Sequence, residues 1–151
     1  MSTHTVECPS CSSVTTTPPE SPEEFRLSHW PIQIKLMGTV IPFLENSDLL
    51  VAADCTAFAA PDLFRDTLGD RKLMIGCPKL DNAQSYVEKF TEIFSTIPVK
   101  SVGCLRMEVP CCSGMTMVLK EAIKRSGKAI SLTETVVGVK GAKLNETKIL
   151  D

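Results

Sequence analysis

Cysteine is the residue type here whose number and placement point to chemistry. The 151-residue chain holds seven, an odd count. Cys8-Pro9-Ser10-Cys11 is a C-x2-C pair, and Cys111 and Cys112 stand side by side between Pro110 and Ser113-Gly114. Adjacent cysteines are poor packing material where an apolar, strand-like run gives way to a helical pattern. A buried strand is better served by Val or Ile. Such a turn does offer free backbone N–H groups and the positive end of a helix, which stabilise a thiolate or a bound anion.

Cys55, Cys77 and Cys111-Cys112 each follow a separate apolar run, whereas Cys104 lies inside one. The first residues, Met1-Ser2-Thr3-His4, have no signal-peptide pattern. A cytoplasmic protein is therefore expected, where thiols stay reduced and clustered cysteines serve metal binding or redox chemistry. The plain alternative, a small buried hydrophobe, suits Cys104 best. Local spacing matches neither a zinc ribbon nor a ferredoxin run, so any cluster must be assembled by the fold.

The elements that would assemble it are legible. Asp48-Leu49-Leu50-Val51-Ala52-Ala53-Asp54-Cys55 and Lys72-Leu73-Met74-Ile75-Gly76-Cys77 read as strands buried on both faces, each ending in cysteine. A third strand is expected over 99–109, leading to Cys111-Cys112. A helix should start at Pro61 and stop at Gly69. A second should run over 82–95, capped by Asp81, with Tyr86, Val87, Phe90, Ile93 and Phe94 on one face. A third, over 115–125, should stop at Gly127. Residues 130–139 and 143–150 read as closing strands. His29 to Leu36 alternates as a half-buried strand would.

Successive β-then-α units predict a small three-layer α/β domain of Rossmann-like or flavodoxin-like type, with a mostly parallel sheet, over 25–151. Residues 1–24, rich in Ser, Thr, Pro and Glu, predict a flexible cysteine-containing arm. The strand order is not readable.

Ligands of open α/β sheets bind beyond the carboxyl ends of the strands. Neighbouring strands stand about 4.8 Å apart, so Cys55, Cys77 and Cys111-Cys112 could gather within one cluster's width. Iron–sulfur clusters take four thiolates, leaving the fourth place to Cys112, Cys8 or Cys11. Ser113 and Gly114 would offer backbone N–H groups to its charge, and Gly76 and Gly114 would let backbone come close beside the sulfurs. A [4Fe–4S] cluster is the first expectation. A Zn2+ site in an interaction module is an alternative. A thiol-redox enzyme pairing Cys77 with Cys111 or Cys112 is another.

His4 and His29 read as solvated and Lys79 as a surface residue or a charge partner. Asp54 is a candidate acid or base, and Glu108 either supports the site or faces solvent. No phosphate-binding glycine signature follows any strand. A net charge of −2 with no basic stripe argues against nucleic acid. No apolar run reaches the ~20 residues needed to span a bilayer.

Four segments together resemble a family of ferredoxin-like iron–sulfur proteins from anaerobes. They are Trp30-Pro31-Ile32-Gln33-Ile34, Ala52-Ala53-Asp54-Cys55, Ile75-Gly76-Cys77-Pro78-Lys79-Leu80-Asp81 and Arg106-Met107-Glu108-Val109-Pro110-Cys111-Cys112-Ser113-Gly114. The resemblance covers about residues 28–140 and is to the region that follows a two-cluster ferredoxin module in that family. It implies iron–sulfur binding through Cys55, Cys77, Cys111 and Cys112, with Cys8-Pro9 matching a linker element. No ferredoxin pattern stands before residue 28. The expected partner is therefore a redox protein such as a ferredoxin, or a second copy of this chain.

Overall fold

A computed structural model describes residues 14–15 and 27–151. Its centre is a five-stranded sheet of β3 (Asp48–Ala53), β4 (Lys72–Gly76), β5 (Ser101–Met107), β6 (Ser131–Val137) and β7 (Lys143–Leu150). The spatial order is β4-β3-β5-β6-β7, parallel except for β7. A short antiparallel pair, β1 (Val14–Thr15) with β2 (His29–Trp30), precedes it.

Side chains of β3 alternate between two cores. Leu49 and Val51 face α3 (Ala83–Thr96) and α4 (Ser113–Ser126), packing on Phe90, Phe94, Met115 and Leu119. Leu50 and Ala52 face α2 (Pro61–Leu68), packing with Phe64 and Leu68. A strand sandwiched this way must be apolar throughout, and the continuous run in the sequence reports that. Each fully buried Phe or Leu contributes about 1.5–3 kcal/mol. The helices thus form two outer layers. α1 (Thr56–Ala59) and α2 cover one face, and α3 and α4 the other.

Several expectations are corrected. The alternating run from His29 to Leu36 is not one strand. Its pairing stops at Trp30, Gln33 bridges Ile75, and Ile34–Leu36 is a 3-10 turn. Lys89, from more than fifty residues away, holds this turn, its Nζ donating to the carbonyls of Ile34 and Met37, both at 2.7 Å. The strands of the core are shorter than read, since β3 stops at Ala53 and β5 spans 101–107. α3 is capped by Asn82, whose Oδ1 accepts from the N–H of Gln84 and Ser85, and not by Asp81. α4 begins at Ser113, two residues before the reading from periodicity. His29 is buried and not solvated. It stacks on Phe43 at 4.2 Å, and its Nε2 accepts from the Leu73 N–H at 3.0 Å. No helix among the described residues is long and apolar enough to cross a membrane.

Candidate functional site at the carboxyl edge of the sheet

The chain enters the sheet at β3, steps to β4 on one side, then crosses to β5 on the other. The crossovers lie on opposite faces, through α2 and then α3. The loops after β3 and β5 therefore diverge and leave a crevice at the carboxyl end, the usual ligand position in such sheets. The three cysteine-tipped strands are adjacent in space, with β3 between the other two.

Each cysteine is set by a local turn. After β3, Thr56 donates its hydroxyl to the Ala53 carbonyl at 2.8 Å, and Cys55 begins α1 with its side chain exposed. After β4, the Asp81 N–H returns to the Cys77 carbonyl at 2.9 Å, closing a Cys77-Pro78-Lys79-Leu80 turn. After β5, a 3-10 turn over Pro110–Cys112 runs directly into α4, and Ser113 Oγ ties back to the Pro110 carbonyl at 2.7 Å. A Cβ on Gly114 would stand 3.5 Å from Pro78, so the loops of Cys77 and Cys111-Cys112 lie against each other.

The thiols are free and unlike one another. Cys111 is exposed and Cys112 buried. Burial raises the Cys112 pKa, a backbone hydrogen bond from Met107 opposes that, and the neighbouring Cys111 and Cys77 raise it further. Cys77 is half-buried between these extremes. As placed, no group of three or more His, Cys, Asp or Glu among the described residues forms a ready-made metal site. Cys8 and Cys11, and His4 with them, lie outside the described residues. Cys104 packs in the core against Thr116 Oγ1 at 3.5 Å, its thiol pushed up to about 12 by burial. That matches its reading as core filler.

Polar groups behind the thiols were less legible. Tyr86 accepts a hydrogen bond from the Cys77 N–H at 3.2 Å and donates to Asp81. Burial and Asp81 push its pKa up, so the hydroxyl stays protonated. This gives Gly76 a different role from the expected one. A Cβ there would stand 2.4 Å from the Tyr86 hydroxyl, so Gly76 makes room for tyrosine rather than for a cofactor. Asp54 has its N–H on the Gly76 carbonyl at 3.0 Å, and its Oδ1 is buried without a partner among the described residues. Burial and the nearby Asp81 raise its pKa, against a hydrogen bond from the Gln33 side chain. Glu108 accepts from the Val139 N–H at 3.2 Å and pins the loop after β6, while Lys79 is an exposed surface residue. Tyr86 was assigned from sequence only to the apolar face of α3. Nothing in its nine-residue separation from Cys77 marks the hydrogen bond.

A family model described as Rossmann-like domain matches residues 41–151. The chain belongs to the Rossmann-like domain family. An uncharacterized protein of Archaeoglobus fulgidus is 30% identical to this Rossmann-like domain over 125 residues, 83% of this chain and 88% of that one. No solved structure matches it.

Proposed function

We propose that this Rossmann-like domain binds an iron–sulfur cluster, of [4Fe–4S] type by its thiol supply, and acts in electron transfer or as a redox accessory subunit. The supporting observation is that three adjacent parallel strands lead, at one edge, into loops that carry Cys55, Cys77 and Cys111-Cys112, beside the crevice where the strand order reverses. The donor set suits the group, since iron–sulfur clusters are held by thiolates. Cys55, Cys77 and Cys111 or Cys112 would hold it. The fourth thiolate would come from the second member of the pair or from Cys8 or Cys11.

When bound, the cluster would supply one-electron transfer. The chain's own groups would do the rest. The backbone N–H groups at the start of α4, from Ser113 and Gly114, offset negative charge. Tyr86 fixes the Cys77 backbone. Phe58 and Leu80 each stand three residues beyond a candidate ligand and are almost fully exposed. Exposed apolar groups of this size favour a protein partner at the same edge. Measurement of iron, acid-labile sulfide and zinc after strictly anaerobic purification tests the reading. Iron with equal sulfide supports it. Stoichiometric zinc without colour would replace it with the zinc module, and a metal-free protein with one fast-alkylating thiol with the thiol-redox enzyme.

A further inference from the structure

A cleft of about 380 Å³ lies away from the cysteine edge. It lies on the α2 face of the sheet, over β5, β6 and β7, where no helix follows α2 to cover the outer strands. Its floor is opened by Gly103. A Cβ there would stand 3.0 Å from Arg71 Nη1, so the missing side chain lets the guanidinium lie against the sheet. Arg71 is half-buried, yet among the described residues it makes one side-chain hydrogen bond, to the Thr67 carbonyl at 3.3 Å, and no ion pair. A guanidinium has five donors in a planar fork matched to a carboxylate.

The other charges in the cleft decide what kind of ligand fits. Lys143 and Glu146 pair with each other at 3.3 Å. Asp66, on the α2 wall, has no ion pair among the described residues. One half-buried guanidinium and one exposed carboxylate therefore line the same cleft without an ion pair among the described residues. A dianion is disfavoured, because Asp66 lines the cleft and the carbonyl end of α2 adjoins Arg71. The half-buried Leu63 supplies an apolar wall, and the Thr133 hydroxyl a further hydrogen-bonding group.

We propose that this cleft binds a zwitterionic α-amino acid with an apolar side chain, its carboxylate on Arg71, its ammonium toward Asp66 and its side chain against Leu63. The site is separate from the cysteine edge, and the inference does not depend on the cluster.

The test is a titration of the full chain with L-leucine, followed by backbone amide NMR and calorimetry. 4-Methylpentanoate, which lacks the ammonium, 3-methylbutylamine, which lacks the carboxylate, and inorganic phosphate serve as comparison probes. Leucine should shift the amides of Gly103, Thr133 and Lys143 and bind at least about tenfold more tightly than the other three. Arg71→Gln should abolish leucine binding. Asp66→Asn alters an exposed position and should fold normally. It should remove the preference for leucine over 4-methylpentanoate. The proposal is overturned if leucine leaves those amides unmoved, if phosphate or 4-methylpentanoate binds as tightly as leucine, or if a folded Arg71→Gln variant binds leucine unchanged.

Discussion

Tyr86, Gly76 and Cys77 form the best-defined unit at the residue scale. The tyrosine hydroxyl sits where a Gly76 side chain would be and holds the Cys77 N–H. Gly76→Ala should therefore destabilise by about 1–3 kcal/mol, as overpacking does. Tyr86→Phe should cost a similar amount, because it leaves a buried N–H without a partner. The two losses should add only in part, since Phe lacks the nearest atom that the new methyl would meet, while Ile34 Cδ1 at 2.9 Å and the ring carbon at 3.0 Å remain. A double-mutant cycle in urea checks this, and strictly additive losses would contradict it.

His29 gives a second prediction at this scale. Burial is the main cause that lowers its pKa from 6.5 to about 4. Its Nε2 accepts from Leu73, so its proton resides on Nδ1, facing the Pro31 carbonyl at 3.2 Å. The folded pKa lies below the unfolded one, so His29's contribution is complete above pH 6.5 and is lost as pH falls toward 4. Its size is about 3 kcal/mol. The imidazole resonance should titrate near the lower value, and a midpoint near 6.5 would show that the ring is not buried as described.

At the scale of elements, the apolar runs of β3, β4 and β5 were legible because burial on both faces leaves no polar position. The faces of α3 and α4 were legible because their inward residues recur at helical spacing. The strand order was not, since it is set by which faces the crossovers cover. The stretch from His29 to Leu36 misled because its alternation is local, whereas Lys89, more than fifty residues away, ties up the carbonyls of Ile34 and Met37. Asp81 misled similarly. Its carboxylate goes to Tyr86, and the cap falls to Asn82. Asn82→Ala should accordingly cost about 1 kcal/mol of stability. Gly114→Ala should be tolerated in thermal unfolding, because the added methyl meets Pro78 only at ordinary contact distance.

At the scale of the molecule, three cysteine-tipped strands were visible in the sequence, and their adjacency was supplied by the fold. How the thiols would close on a cluster was not legible, because Cys55 and Cys111 are exposed while Cys112 is buried. The cysteines separate by role. Cys77→Ser and Cys55→Ser should each lose most of the bound iron. Cys104→Ala should retain it while costing about 1 kcal/mol, the small cavity left by a buried sulfur. The most direct measurement is iron and acid-labile sulfide per chain after strictly anaerobic purification, made on the wild type and these variants together. A brown wild-type protein with equal iron and sulfide is expected, with the colour and iron kept by Cys104→Ala and lost by Cys77→Ser. A colourless wild-type protein without iron, prepared under the same conditions, would contradict it.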